Sequence, residues 1–238
     1  MTPARTARRR LGVPAYFLPG AAWEALCSPA VGYVILNPAS GAGTAPHAGY
    51  AAAIAMLRWC GIKVLGYVPT SHGHRAPCAV QDEIDRYRHW YGVDGIFLDE
   101  TASHEGALAY YRDLAAYSRT GGALIVALNP GVFPAEPYAN LADLLGVFEG
   151  DFAAYQRVET PAWIDRHPRE KFWHLVYDTS PAELPAALRL ASARRAGSVY
   201  VTDLRLPNPW GGLPSYWSAE VGMVLDIHPP HPDLVHAQ

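Results

Sequence analysis

Short apolar runs recur along this chain at intervals that leave room for a helix between them. Eight such runs are Ala15–Leu18, Gly32–Leu36, Lys63–Val68, Gly95–Leu98, Leu124–Leu128, Gly146–Phe148, Trp173–Tyr177 and Ser198–Thr202. They are rich in Val, Ile, Leu, Tyr and Phe, as parallel strands covered on both faces should be. Between them, apolar residues fall at helical spacing. Tyr50, Ile54 and Leu57 form one stripe, with Thr44 and Pro46 ahead of it as a start and Gly61 behind it as a stop. Val80, Ile84 and Tyr87 form a second. Leu108, Tyr111, Ala115 and Ser118 form a third, which Ser103 can cap and Gly121-Gly122 can close. Ser180-Pro181 opens a fourth with Leu184 and Leu188, and Pro185 is expected to kink its first turns.

Eight strand–helix units in 238 residues predict an α/β protein, a single (β/α)8 TIM barrel. An open doubly wound sheet is the competing reading. It would place a glycine-rich phosphate loop after the first strand, where this chain has Pro19-Gly20-Ala21-Ala22-Trp23. The expected division is an N-terminal tail over 1–13, the barrel over 14–226 and a C-terminal tail over 227–238.

Composition supports a sizeable core, with 50% hydrophobic and 17% charged residues. The net charge of −3, with no basic block beyond Arg8-Arg9-Arg10, gives nucleic-acid binding little electrostatic support. No apolar stretch is long enough to predict a membrane span. Three cysteines (Cys27, Cys60 and Cys78) without a C-x-x-C pair predict no disulfide framework, leaving one bridge open. Leu11-Gly12-Val13-Pro14 after the N-terminal arginines is no signal-peptide core, so the chain as given carries no export signal. A monomer is expected.

Candidate chemistry gathers where the strands end. In a barrel those ends converge on one mouth. Gly95-Ile96-Phe97-Leu98-Asp99-Glu100 puts two carboxylates there, where they are costly to desolvate unless paired or used. Glu149 closes Leu145-Gly146-Val147-Phe148 two units later, across the mouth from Glu100. Paired carboxyl groups in different protonation states are what glycosidic cleavage requires, one as acid and one as nucleophile or base. The plainer reading of each is a carboxylate at a helix N-terminus. Asn37 and Asn129, each before a proline, can hydrogen-bond sugar hydroxyls or orient a carboxylate, or simply turn the chain. Tyr67, Thr70, Tyr177 and Asp203 fall at other strand ends. Arg75 can hold a strand-end carboxylate ionised. Trp173, Trp210, Tyr216 and Trp217 are candidate sugar platforms or core aromatics. His72 and His74 lack a third ligand. No metal and no cofactor are expected.

These segments together resemble a known family. Val34-Ile35-Leu36-Asn37-Pro38-Ala39-Ser40-Gly41, Leu65-Gly66-Tyr67-Val68-Pro69-Thr70 with Gly73 and Arg75, and Tyr91-Gly92-Val93-Asp94-Gly95-Ile96-Phe97-Leu98-Asp99-Glu100 are similar to the spherulin-4 family. Leu128-Asn129-Pro130-Gly131 and Val147-Phe148-Glu149 continue the order. The resemblance implies a (β/α)8 glycoside hydrolase, usually exported, acting on α-1,4-linked galactosamine or N-acetylgalactosamine polymers in secreted and biofilm polysaccharides. It implies Asp99 as nucleophile or as the carboxylate assisting an N-acetyl group, Glu149 as acid/base and Glu100 as support. Asn37, Tyr67 and Asn129 would line the sugar subsite. The competing readings are a non-catalytic glycan-binding protein of spores or walls, and a hydrolase of another hexosamine polymer.

Overall fold

The computed structural model describes residues 9–120, 122 and 125–226. Eight parallel strands close into a barrel in sequence order: β1 Arg10–Ala15, β2 Val31–Leu36, β3 Lys63–Pro69, β4 Gly95–Asp99, β5 Ile125–Leu128, β6 Leu144–Asp151, β7 Phe172–Tyr177 and β8 Ser198–Val201. Helices cover the outside: α1 Ala21–Ala25, α2 Tyr50–Trp59, α3 Pro77–Arg86, α4 Leu108–Arg119, α5 Tyr138–Leu141, α6 Phe152–Arg157, α7 Leu184–Ala193 and α8 Trp217–Asp226. The single (β/α)8 TIM barrel expected from the strand count is what forms. The strands are largely apolar because each has the barrel core on one side and helices on the other. Inside, the Trp173 ring meets Phe97 at 5.6 Å edge-on, and Phe97 stacks on Tyr67 at 6.5 Å.

The first strand differs from expectation. It runs over Arg10–Ala15, not Ala15–Leu18, so the expected tail over 1–13 contains the start of the barrel. Its Pro14 lacks an N–H, yet β1 pairs with β8 only at Arg10 and Leu11, so Pro14 leaves no bond unmade on that side. The buried Arg9 donates to the carbonyls of Ala196 and Leu188, which ties the strand's entry to α7.

Other boundaries shift by local chemistry. The helix expected from Thr44 begins at Tyr50. The helix expected from Ser103 begins at Leu108, after a single turn over Glu105–Ala107. Pro185 does not kink α7, because the helix starts at Leu184 and proline in the first turn removes no helical hydrogen bond. Cys27 and Cys60 form a disulfide across a sequence separation of 33 residues, joining the ends of α1 and α2, while Cys78 is free and exposed. Leu124, Gly121 and the expected C-terminal tail lie outside the described residues. No described helix is long and apolar enough to cross a membrane.

Candidate active site

The C-terminal ends of the strands open into a cleft of ≈ 480 Å³. Asp99, Asn129 and Glu149 stand at its floor. Strand register explains how they meet. Leu98 lies opposite Leu128, so Asp99 and Asn129 are the next residues on adjacent strands. Asp99 shares an inward face with Phe97, two residues earlier. Glu149 needs an irregularity. Gly146 lies opposite Trp173 and Glu149 opposite Leu175, with a register shift between Gly146 and Phe148. Trp173 and Leu175 face one side of their strand, so Gly146 and Glu149 also share a side despite being three residues apart. The extra residue of the bulge turns Glu149 inward, and Phe148 packs outward on Tyr155 at 4.6 Å.

One amide holds the two carboxylates. Asn129 Nδ2 donates to Asp99 Oδ1 at 2.7 Å and to Glu149 Oε2 at 2.6 Å. The separation of those two oxygens cannot exceed the sum of the two bonds. Gly146 makes the arrangement fit: a side chain there would strike Asn129 Oδ1. Trp210 Nε1 donates to Glu149 Oε1 at 3.3 Å.

Both carboxyls are pushed above their ordinary range. Burial raises Asp99, while hydrogen bonds from Asn129, the Glu100 backbone N–H and Tyr67 pull it back down. Burial also raises Glu149, with the Asp99 charge adding to it and only Asn129 and Trp210 opposing, so it is pushed up to about 7. Asp99 has the larger set of donors, so the anion settles there and the proton on Glu149. Neither carboxylate caps a helix. The neighbouring Asp151 does that for α6, accepting from Ala154 N at 2.6 Å.

The remaining expected residues divide. Tyr177 lines the cleft and meets Trp210 edge-on at 6.0 Å. Tyr67 lies beneath, its hydroxyl held by Asp99 and pushed well above its ordinary value, first by burial. Four further residues expected at the cleft do not line it either. Arg75 pairs with the buried Glu83 at 2.6 Å and holds no strand-end carboxylate. Thr70 is fully buried, its hydroxyl bonded to the Asp99 and Glu100 carbonyls at 2.8 and 2.9 Å. Asn37 accepts from Gly41 N within its own loop. Asp203 is bound by Ser215. Of the expected platforms, Trp210 is at the cleft. Trp173 is core, the Tyr216 hydroxyl donates to the Thr179 carbonyl, and Trp217 Nε1 donates to the Ala25 carbonyl. No group of three metal-ligating side chains gathers among the described residues.

Sequence reasoning missed Tyr16 and the loop Leu206-Pro207-Asn208-Pro209, which line the cleft together with the exposed Val132. Tyr16 hid because the first strand was placed too late. The loop's proline density predicts irregular chain and nothing about its place beside the acids.

A closed (β/α)8 barrel with paired acids at its mouth places the molecule in the class of glycoside-hydrolase-like barrels. The chain belongs to the spherulin-4 family: the model of "Spherulation-specific family 4" matches residues 10–224. It is 31% identical over 210 residues to spherulin-4 of Physarum polycephalum, covering 82% of this chain and 63% of the relative's length. Among solved structures it is similar to Aspergillus clavatus Sph3 in complex with GalNAc, at 27% identity and a TM-score of 0.80, covering 92% of this chain and 98% of that one. A fungal endo-β-N-acetylglucosaminidase of glycosyl hydrolase family 18 shares the fold, with 14% identity, a TM-score of 0.58 and coverage of 90% and 97%.

Proposed function

We propose that this protein is an endo-acting glycoside hydrolase of a hexosamine-containing polysaccharide. The observation that carries the reading is the single Asn129 amide bridging Asp99 and Glu149. Glu149, protonated near neutral pH, gives its proton to the glycosidic oxygen as that bond breaks. Asp99 supplies the negative charge opposite. It either bonds the anomeric carbon directly or orients an N-acetyl group whose carbonyl oxygen does so. Water then attacks the anomeric carbon, the bond to Asp99 or to the acetamide oxygen breaks with its electron pair returning to that oxygen, Glu149 takes the water's proton, and the sugar is released. Asn129 limits the separation of the two bonded carboxylate oxygens to the sum of the two hydrogen bonds, which favours the close spacing of about 5–5.5 Å used in retention over the wider spacing of inversion.

The relative crystallised with GalNAc and the family resemblance favour α-1,4-linked galactosamine or N-acetylgalactosamine as the repeating unit. Tyr177 offers apolar ring surface beside the acids, as sugar faces require, and the nearly buried Trp210 meets it edge-on. The test is to incubate the protein with a partly deacetylated N-acetylgalactosamine polymer and measure reducing ends. Wild type is expected to release them and Asp99→Asn to release none. Equal release by the two, or none by wild type, overturns the reading; binding without release would indicate a glycan-binding protein.

A further inference from the structure

Behind Glu149, on the outer face of the barrel, a polar pair is buried in an apolar shell. His174 of β7 lies opposite Phe148, the residue at which the β6 bulge ends. Trp173 and Leu175 hold the inward positions of β7, so His174 points out toward α6. There His174 Nδ1 and the Tyr155 hydroxyl are hydrogen-bonded at 2.6 Å, and both residues are fully buried. The Phe148 ring lies on the Tyr155 ring at 4.6 Å, and the Phe133 ring meets the imidazole edge-on at 6.5 Å. The Arg194 guanidinium covers the Tyr155 ring at 4.9 Å and donates to the Tyr155 carbonyl at 2.6 Å, which ties α6 to the end of α7.

Two further contacts close the bulge. Gly131 N donates to the Gly146 carbonyl at 3.1 Å, and Glu149 N donates to the Gly131 carbonyl at 2.9 Å, so one residue beyond β5 spans the extra residue of β6. Gly150 leaves room for the Phe148 ring: a Cβ there would lie 2.9 Å from Phe148 Cζ. Phe148 is therefore packed between Gly150 and Tyr155, and Glu149 follows it directly in the chain.

An imidazole is a costly choice for this place. Its Nε2 has no partner among the described residues, and burying such a group disfavours the fold relative to an apolar ring. It stays neutral, because burial and the Arg194 and Arg9 charges push it down to about 3. What it supplies is a fixed point for the Tyr155 hydroxyl. The groups facing Glu149 itself are Asp99, with the hydroxyls of Tyr16, Tyr67 and Tyr177 around it. Glu100, also in the cleft lining, is held at the rim by Ser71 N at 3.1 Å.

We propose that Tyr155, tethered by His174, is a positioning residue: it clamps Phe148, keeps the β6 bulge closed and so aims Glu149 into the cleft. This deepens the hydrolase reading, on which it rests only for calling Glu149 the acid.

The test reads Glu149 directly, by carbon-13 NMR titration of the side-chain carboxyls. The Glu149 signal is identified by its absence in Glu149→Gln, and its wild-type midpoint is expected at about 7. Tyr155→Leu removes ring and tether; Tyr155→Phe keeps the ring and removes the tether. Burial is the largest cause of the raised value, so a loosened bulge that lets water reach Glu149 lowers it. Tyr155→Leu is expected to lower the midpoint by about one pH unit or more, and Tyr155→Phe by less. Ile54→Ala, a core truncation on α2, is expected to lower the melting temperature and leave the midpoint in place. With an active wild type, Tyr155→Leu should also lower kcat by about 10- to 100-fold with KM unchanged, as a misplaced acid does. An unmoved or raised midpoint in either Tyr155 variant, or an equal shift in Ile54→Ala, overturns the proposal. The titration needs no substrate, so its failure is distinct from a failure of wild type to release reducing ends.

Discussion

Burial pushes two glutamate carboxyls of this barrel above their ordinary range, and only one of the two opens onto the cleft. Glu220, on α8, is fully buried beside the seam between β8 and β1. That seam is short, since β1 pairs with β8 only at Arg10 and Leu11. Beyond it the Val201 N–H donates to Glu220 Oε1 at 2.8 Å, and Oε2 has no partner. Burial holds Glu220 protonated far above the ordinary carboxylate range. Glu149 is also raised by burial, but it opens onto the cleft and faces a second carboxylate through Asn129. A raised carboxyl is therefore no sign of catalysis on its own. What separates the two is a route for the proton to substrate and a partner that takes up the negative charge.

The largest effect that separates them concerns Glu149. Glu149→Gln is expected to lower kcat by about 10²- to 10⁴-fold, the usual worth of a positioned general acid, with folding unchanged. The wild-type pH profile gives the sign. The acid form is the active one, so activity is lost as pH rises through about 7, and Glu149→Gln should lack that limb. Retention of the alkaline limb in the variant would show that another group carries it.

The smaller effect concerns Glu220 and should appear in stability, not in rate. The folded state holds this proton more tightly than the unfolded chain does. Its contribution is therefore complete below the unfolded pKa of about 4.3 and is eroded as pH rises above it. Glu220→Gln removes that erosion, so urea unfolding should give a flatter dependence between acid and alkaline pH than wild type. Glu220→Ala instead strands the Val201 N–H, at a cost of about 1–3 kcal/mol. A loss of rate in Glu220→Gln comparable to that of Glu149→Gln would erase the distinction.

The barrel was legible because apolar strands and striped helices repeat, and seven of the eight strands fall within a few residues of where the pattern puts them. β1 was not, because Arg10 and Pro14 disguise it as a tail. Only the seam geometry shows why proline is tolerated there. At the mouth, Asp99, Asn129 and Glu149 were readable as strand-end residues. The bulge that turns Glu149 inward was not, since nothing local marks which residue of Gly146-Val147-Phe148 is extra. Arg75 was placed wrongly for a related reason. Its partner Glu83 lies on α3 and looks like a surface residue until the helix is packed. The Cys27–Cys60 bridge was equally hidden, because it depends on the ends of α1 and α2 meeting.

The central claim is that Asp99 and Glu149, held on one amide, cleave a glycosidic bond by two displacements. Proton NMR of the first sugar released from an α-linked hexosamine oligomer, recorded before mutarotation, tests it most directly. The account predicts the α-anomer of the new reducing end, appearing ahead of the β-anomer. First appearance of the β-anomer would mean a single displacement by water, and would contradict it.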